Sequence, residues 1–275
     1  MKHRNYKSKH NKIILLLIFL TLLFFSLSIG FYNELEVTNY IITDGRIPSS
    51  FDGYTIVQLS DFHCKRFGNQ EEILINAVKT AKPDLIVLTG DLIDKNHQDI
   101  ENVSLLLEGL QQICPVFTIS GNHEFDEWNQ YVKLVELYKK YSVVQLDDST
   151  KTITIGSDKL NIHGLKWGSD FTNRTIDDDQ TYDVLLYHNS NEFNHMSTLG
   201  YQLILSGHAH GGLIRLPFLG GVIGNNGDLF PNFAGGMFVK NDCTMISSRG
   251  LGDSYLPRFL NRPELVTITL QSKNE

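Results

Sequence analysis

Short apolar runs recur along most of the chain, and each is followed by polar or glycine residues. The runs are three to five residues long with few polar positions, which is typical of strands buried on both faces. Residues 35–43 instead alternate apolar and polar positions, as a half-buried strand does. The pattern predicts buried strands at TIVQL (55–59), LIVL (85–88), VFTI (116–119), VLLY (184–187) and LIL (203–205).

Each of the first three runs is followed by a helical pattern, in which apolar residues three and four positions apart form one face. This alternation of strand and helix is typical of a layered α/β domain. The predicted apolar faces consist of Ile73, Leu74, Ala77 and Val78, then Ile100, Val103, Leu107 and Leu110, and finally Trp128, Tyr131, Val135 and Tyr138.

The later part of the chain has a different pattern, which predicts antiparallel strands joined by turns. We find no internal repeat or linker within 35–275, and about 240 residues suit one α/β domain with two sheets. The later predicted strands lie in KTITI (151–155), LNIHGL (160–165), FVKNDCTMISS (238–248) and LVTITL (265–270).

The amino-terminal part contains an uncharged apolar run over residues 13–32. A helix of this length crosses a bilayer core of roughly 30 Å. A cleaved signal peptide is the alternative, because Ser26 and Ser28 offer small residues for cleavage, although no A-x-A pattern is present. The run is longer than a usual signal core, so we expect an uncleaved transmembrane anchor.

The flanking charges predict which way this anchor is oriented. Residues 1–12 hold five Lys or Arg and no acid, and such basic flanks stay in the cytoplasm. We therefore expect a basic cytoplasmic tail over 1–12 and a single-pass anchor in the cell membrane over 13–32. The domain over 35–275 would then lie outside the cytoplasm.

The charge balance argues against nucleic acid as a partner. The formal net charge is −7, and without the basic tail the remainder carries about −12, whereas nucleic-acid binding needs a basic surface. Three widely spaced cysteines form no disulfide framework and are expected to be small buried hydrophobes. Cys64 follows His63 directly, so a metal-ligand role is its alternative.

The residues that follow the buried strands carry the candidate chemistry. The carboxyl edge of an open α/β sheet is where ligands bind, and a mixed set of carboxylate, amide and imidazole donors suits Mn, Fe or Zn. The set exceeds what one ion needs, and two ions roughly 3.5–4 Å apart suit attack at phosphorus. The set comprises Asp61, His63, Asp91, Asn122, His123, His188, His208 and His210.

These residues form the motifs D-x-H, G-D, G-N-H-E, a separate His and G-H-x-H, in this order. From Asp61 onward the chain resembles the calcineurin-like metallophosphoesterase superfamily. The resemblance implies a layered α/β-β/α sandwich with two mixed sheets, here preceded by one transmembrane helix. The anchor and the stretches GHAHGGLIRLPF and SSRGLG…PRFLNRPEL make the chain most similar to the membrane-associated bacterial branch. That branch includes phosphodiesterases that cleave UDP-2,3-diacylglucosamine.

The resemblance also implies the role of each site residue. His123 would not bind metal but would act as general acid on the leaving oxygen or stabilise the charge there, while a hydroxide bridging the metals attacks phosphorus. Glu124 and Asp94 are candidates for orienting imidazoles. One metal would be held by Asp61, His63 and His210 and the other by Asn122, His188 and His208, with Asp91 bridging both.

The implied function is a membrane-anchored phosphohydrolase with two divalent ions, of which Mn²⁺ is expected first and Fe or Zn are alternatives. Its substrate would be a phosphodiester or pyrophosphate, lipid-linked or envelope-related. A phosphomonoesterase or nucleotidase acting on soluble exported substrates is the second interpretation. An anchored non-catalytic binding protein is the third, and the complete ligand set counts against it. The nucleotide-lipid substrate of the resembling branch is made at the cytoplasmic face, so either the substrate or the expected orientation differs.

Two further expectations concern residues outside the motifs. His3, His10, His97, His163 and His195 follow no motif and are expected at the surface or in packing. Residues 213–219 and the loop as far as Gly236 are hypothesised to form an apolar lip that faces the bilayer and receives an acyl or polyprenyl chain. A loop packed over the sheet is the alternative.

Overall fold

A computed structural model describes residues 2–95, 100–171, 174–176, 181–224, 227–253 and 257–273, with the backbone alone over 2–10. The α-helices are α1 Lys2–Gly30, α2 Glu72–Ala81, α3 Glu101–Leu110, α4 Asn122–Asp126, α5 Trp128–Lys140 and α6 Phe193–Met196. The strands are β1 Glu36–Asp44, β2 Thr55–Leu59, β3 Leu85–Leu88, β4 Val116–Thr118, β5 Val144–Gln145, β6 Ser149–Ile155, β7 Asp158–Leu165, β8 Tyr182–Asn189, β9 Leu203–Gly207, β10 Ile214–Leu216, β11 Gly220–Ile223, β12 Gly236–Lys240, β13 Cys243–Ser247 and β14 Glu264–Ser272.

Two six-stranded mixed sheets pack face to face. The first has the order β1-β14-β2-β3-β4-β5 and the second β12-β13-β9-β8-β7-β6. Alternate residues of a strand point to opposite faces, so Ile56 of β2 enters the core between the sheets while Val57 packs with the helices. Leu205 and Ile204 of β9 divide in the same way between the shared core and the outer face of the second sheet. This arrangement confirms the layered α/β-β/α sandwich.

Helices α2, α3 and α5 cover the outer face of the first sheet. Leu74, Leu106 and Leu134 are completely buried there against the strands. Of these only Leu74 belongs to a predicted apolar face, and the placement of Ile73 and Trp128 on such faces was wrong, because their side chains are 53% and 63% exposed. The predicted buried strands are all present, and those at 55–59 and 85–88 match the structure residue for residue.

The expected antiparallel pairing in the later part of the chain is only partly right. β6 pairs antiparallel with β7, and β12 with β13. However, β7 is parallel to β8 and β13 is parallel to β9. β14 is antiparallel to β2 but parallel to β1. Sequence alternation reports which face of a strand is buried and carries no information about the direction of its neighbour, which explains the difference.

The order of β1, β14 and β2 decides where the amino-terminal helix meets the domain. β1 starts at Glu36, opposite Glu264 at the start of β14. Because β14 runs antiparallel to β2, both starts lie beside the carboxyl end of β2. That end carries Asp61 and His63, so α1 joins the domain at the edge where the candidate site residues lie.

Helix α1 is long and apolar enough over Asn11–Gly30 to be a membrane span or a signal sequence. Its large apolar side chains over this range are exposed. The helix ends at Gly30, two residues before the predicted end of the anchor. Gly30 itself is buried beneath the Phe259 ring, and its carbonyl oxygen accepts a hydrogen bond from Leu260 N at 2.6 Å.

Candidate metal centre

The carboxyl ends of the buried strands bring the predicted site residues into one cluster. His188 Nε2 at the end of β8 lies 3.0 Å from Asp91 Oδ2 behind β3. His210 Nε2 behind β9 lies 3.2 Å from Asp61 Oδ1 behind β2 and 3.1 Å from His63 Nε2. The first sheet therefore supplies the carboxylates and the second sheet supplies imidazoles that face them.

The backbone at these strand ends adopts a conformation that side-chain-bearing residues rarely take. Asp61, His63, Asp91, His208 and His210 all have φ between +48° and +72°. Each such residue costs of order 1–3 kcal/mol, and such strain clusters at functional sites. The sharp turn lets residues next to each other in sequence direct their side chains toward a common centre.

Two motif glycines lie where a side chain would displace a carboxylate. A Cβ atom on Gly121 would overlap Asp91 Oδ1, and one on Gly207 would overlap Ser60 Oγ and Asp61 Oδ2. The backbone after β4 and at the end of β9 thus approaches the two carboxylates more closely than any larger residue permits.

Among the described residues, three groups of side chains place their potential ligand atoms within 4.8 Å of one another. The first two groups correspond to the two predicted metals. The third contains His123, which the resemblance reserves for acid catalysis; its Nε2 lies 3.9 Å from Asp91 Oδ2 and its side chain is 21% exposed. The groups are Asp61, His63 and His210; Asp91, His188 and His208; and His63, Asp91 and His123.

Two features make the cluster suitable for divalent cations: the types of its side chains and a buried polar atom that has no hydrogen-bond partner among the described residues. Asn122 Oδ1, at the first position of α4, is buried with no hydrogen-bond partner among the described residues. The Nε2 atoms of His63 and His210 face each other at 3.1 Å. A cation here would satisfy the Asn122 acceptor, which the described donors leave unpaired, and would take up the facing imidazole nitrogens as ligands.

The buried charges set the protonation states of the cluster. Burial raises the pKa of Asp61, but His210, His188 and His63 outweigh it and hold that pKa well below its ordinary value. Burial lowers the pKa of His188, but Asp91 and Asp61 raise it to about 10. Burial, with the nearby His210, lowers the pKa of His63 to about 4. His63 is therefore neutral near pH 7, which is the form that binds metal.

His208 is also kept neutral, chiefly by burial and then by His188, which lower its pKa to about 4. His188 Nδ1 lies 2.7 Å from Thr89 O. Nδ1 donates its proton to that carbonyl, which fixes the ring so that Nε2 faces Asp91 Oδ2 at 3.0 Å. The backbone that follows β3 thus fixes the orientation of an imidazole from the opposite sheet.

Glu124 has a different role from the predicted one. Its carboxylate accepts hydrogen bonds from the backbone N–H groups of Asp91, Leu92 and Gly121 at 2.7–2.9 Å, so it holds the Asp91 loop rather than an imidazole. Burial and then Asp91 raise the pKa of Glu124 to about 7. Asp94 Oδ2 is the carboxylate oxygen beside His63 Nδ1, but at 3.9 Å it lies beyond hydrogen-bond distance.

Sequence reasoning missed three residues that shape the site. The Trp167 ring lies 4.8 Å from the His208 ring and 5.8 Å from the His188 ring, centroid to centroid. Buried Arg258 has Nη2 3.3 Å from His210 Nδ1, and Asn261 Nδ2 donates to His210 O at 2.7 Å. PRFLNRPEL contributed to the family resemblance, but only the fold shows that it supports the GHAHGG loop. No sequence pattern marks Trp167.

The remaining candidates lie apart from the cluster. Cys64 is buried among the apolar residues of the helix-side core, as its interpretation as a small hydrophobe predicts. His163 bonds across the second sheet, with Nε2 2.6 Å from Asp183 Oδ1. His195 is exposed at the surface. His97 and the side chains of His3 and His10 lie outside the described residues.

The comparisons with known proteins agree with the fold and the cluster. The model of the calcineurin-like phosphoesterase family matches residues 54–212, more than half of the chain, and ends two residues after the G-H-x-H motif. Fold and cluster together define a metal-dependent phosphoesterase, a hydrolase. The chain belongs to the calcineurin-like phosphoesterase family, as the motifs indicated.

The chain is similar to an uncharacterized metallophosphoesterase of Bacillus subtilis, YkuE, with 32% identity over 88% of this chain and 87% of that protein. It is 25% identical to the phosphodiesterase YaeI of Escherichia coli over 79% of this chain and 82% of that protein. The crystal structure of TT1561 from Thermus thermophilus aligns with a TM-score of 0.45 and 12% identity over 73% of this chain and 92% of that one.

Proposed function

We propose that the protein is a membrane-anchored phosphohydrolase with two divalent metal ions, which cleaves phosphodiester or pyrophosphate bonds. The observation that carries this proposal is a pair of ligand groups, each with carboxylate and imidazole donors: Asp61, His63 and His210, and Asp91, His188 and His208. We assign the first ion to Asp61, His63 and His210, the second to Asn122, His188 and His208, and the bridging position to Asp91. The donor set fits Mn²⁺ first, with Fe or Zn as alternatives.

The protein's own residues then position the reaction. When bound, the metal ions activate water and neutralise charge on the phosphoryl oxygens. His123 is partly accessible, unlike the completely buried His188. Its backbone N–H donates to Asp91 Oδ1 at 2.9 Å, which fixes it beside the cluster. We assign His123 the transfer of a proton to the leaving oxygen.

The chain divides in this proposal into a basic cytoplasmic tail over 1–12, an anchor over 13–32 and a phosphoesterase domain over 35–275 outside the cytoplasm. The strand order supports a substrate at the membrane, because α1 joins the domain at the edge that carries the metal ligands. A lipid-linked phosphodiester or pyrophosphate of the envelope would present its phosphate at this edge. The resemblance to the branch that cleaves UDP-2,3-diacylglucosamine supports a lipid-linked substrate class. With the domain outside the cytoplasm, the substrate itself differs from that nucleotide lipid, which is made at the cytoplasmic face.

The first experiment measures hydrolysis of bis(p-nitrophenyl) phosphate by the full chain in detergent, with and without Mn²⁺. We expect turnover to require the metal and to fall by at least about 100-fold in Asp91→Asn and His123→Ala. Asp126→Asn, an exposed carboxylate of the same helix as His123, is the control and should retain activity. Metal analysis should find two ions in the parent and in His123→Ala.

The outcomes separate the parts of the proposal. A folded protein that binds two ions but hydrolyses neither this diester nor p-nitrophenyl phosphate would refute the assigned catalytic roles. Turnover of the monoester alone would move the assignment to phosphomonoesterase. Loss of one ion in His123→Ala would show that His123 is a ligand, as the third group of side chains permits.

A further inference from the structure

We propose that the β10–β11 hairpin, together with the segment at Leu229 and Phe230, inserts into the bilayer surface beside the anchor. This second membrane contact would hold the metal centre at a fixed height above the lipid headgroups. The inference rests on the proposed membrane anchoring and concerns the lipid bilayer as the single occupant of this surface.

The hairpin exposes large apolar side chains that a water-facing loop would not carry. Phe218 is fully exposed at the turn, and Leu219, Leu229 and Phe230 are each at least 61% exposed. They therefore do not pack over the sheet, as the alternative to an apolar lip required. We call Leu216, Phe218, Leu219, Leu229 and Phe230 the apolar tip.

The apolar tip belongs to one hydrogen-bonded structure. Leu216 pairs with Gly220 across the turn, and Phe230 N donates to Val222 O at 2.9 Å. Between residues 213 and 237 the only charged side chains in the sequence are those of Arg215 and Asp228. Arg215 is turned inward, because its Nη1 donates to Gly211 O at 2.9 Å. The turn at Phe218 and Leu219 thus carries no exposed charge, and the one exposed charged side chain among the described residues of 213–237 is Asp228, next to Leu229.

The hairpin is connected directly to the end of the anchor helix. Phe259 exchanges backbone hydrogen bonds at 3.0 Å with Leu213 and Arg215 on the hairpin side. The neighbouring Leu260 N donates to Gly30 O, and the Phe31 and Phe259 rings meet edge to face at 5.2 Å. The two consecutive residues Phe259 and Leu260 therefore link the end of α1 to the hairpin through backbone hydrogen bonds.

This connection identifies the occupant as the bilayer. Where α1 leaves the membrane, the adjoining residues lie at the headgroup level, and interfacial segments bury apolar side chains about 5–10 Å deep there. Tyr32 carries the Arg262 guanidinium over its ring at 5.1 Å, an arrangement suited to that boundary. The hairpin extends from the same place and presents aromatic and aliphatic groups.

The hairpin also starts from the metal-binding loop. Leu213 follows His210 by three residues, and its N–H donates to Ile223 O at 2.7 Å. Asn261 Nδ2 donates to both His210 O and Gly212 O. Because the loop and the hairpin share these bonds, inserting the hairpin would place the metal ligands next to the lipid–water boundary.

The test uses the full chain reconstituted into phosphatidylethanolamine–phosphatidylglycerol vesicles with lipids brominated in the acyl chain. Phe218→Trp adds a fluorophore at the apolar tip, and emission from the two native tryptophans is subtracted using the parent protein. We expect the added emission to fall by about twofold, because bromine on the acyl chains quenches only side chains that enter the bilayer. Ile155→Trp is the matched control, since β6–β7 turns at the end of the second sheet opposite His188.

Each outcome decides one claim. Quenching of the Phe218→Trp emission with none for Ile155→Trp supports insertion. Equal, solvent-like emission from both variants in a chain that sediments with the vesicles overturns the hairpin contact and leaves the anchor standing. If the full chain does not sediment with vesicles, both the anchor and the inference fail. The tryptophan of Phe218→Trp could instead emit as a buried side chain without being quenched by bromine. That result would show that a second copy of the chain covers the apolar tip, and the bilayer would be overturned as its occupant.

A second measurement connects insertion to catalysis. In the double variant Leu216→Ser/Phe218→Ser, kcat/KM for phosphatidyl-p-nitrophenol in vesicles should fall by about tenfold. Turnover of soluble bis(p-nitrophenyl) phosphate should remain within about twofold of the parent, because neither residue belongs to the metal cluster. Equal losses on both substrates would contradict the inference. If the parent protein hydrolyses neither substrate, the proposed function is refuted. Bromine quenching still decides whether the hairpin contacts the bilayer.

Discussion

At the scale of single residues, the candidate metal centre depends on left-handed backbone conformations, which residues with a side chain rarely adopt. Asp61, Asp91 and His208 are held at positive φ, and the neighbouring glycines leave room for the carboxylates. The strain is offset by packing in the two sheets, and a metal would add ligand bonds at the same points. Small changes of volume here should therefore affect chemistry before they affect folding.

Gly121→Ala tests this reasoning, because a Cβ atom would overlap Asp91 Oδ1. Displacing the carboxylate by about 1 Å should reduce kcat/KM for the chromogenic diester by about 100-fold. Gly45→Ala is the control, since a Cβ atom there meets nothing within 4 Å. Wild-type activity in Gly121→Ala, with normal metal content, would show that Asp91 tolerates the displacement.

At the scale of elements, the amino end of α2 contains a buried carboxyl group with no role in the metal cluster. Glu71 is completely buried, and its Oε2 accepts a hydrogen bond from Phe67 N at 2.9 Å. Burial raises the pKa of Glu71 from 4.5 to about 7, although the bond from Phe67 opposes this. The turn into the helix is thus most stable when the group carries a proton.

The free energy of unfolding should consequently depend on pH through Glu71. Between about pH 4.5 and 7 the folded state binds more protons at this group than the unfolded state, so stability falls as pH rises through that window. The slope from one group is at most about 1.4 kcal/mol per pH unit. Urea unfolding at several pH values should show a smaller decline in Glu71→Gln than in the parent. An identical decline in both would refute the assignment.

At the scale of the whole molecule, the candidate metal centre joins the two sheets. Asp61 and Asp91 follow strands of the first sheet, whereas His188 and His210 belong to the second. Ions bound between them would bind the folded state and not the separated strands. Metal binding should therefore stabilise the sandwich as a unit.

Removal of metal should lower the melting temperature of the full chain, and Mn²⁺ should restore it. At a free concentration about 100 times the Kd, one bound ion contributes about 2.7 kcal/mol. Asp91→Asn should lose most of this Mn²⁺-dependent increase, whereas the exposed Asp126→Asn should keep it. If neither chelator nor Mn²⁺ changes the melting temperature of the parent protein, a metal site shared by both sheets is contradicted.

Local patterns were enough to predict the buried strands, helices α2, α3 and α5 and the residues of the cluster, because burial periodicity and strand-end motifs are local properties. They did not predict the short helices α4 and α6 or the β10–β11 hairpin. They predicted TIVQL and LIVL with their correct bounds, and all eight strand-end residues lie in or beside the cluster. The prediction for Glu124 was wrong, because a carboxylate three residues into a motif can face an imidazole or a backbone turn. Only the fold shows which.

Long-range pairing decided the directions of β7, β13 and β14 and the place where α1 meets the domain. Those features depend on which strands become neighbours, a choice that no local pattern encodes. The same choice brings Trp167, Arg258 and the hairpin after Leu213 together around the cluster. The chemistry can therefore be predicted from the motifs, while its position relative to the end of α1 follows from the parallel pairing of β1 with β14.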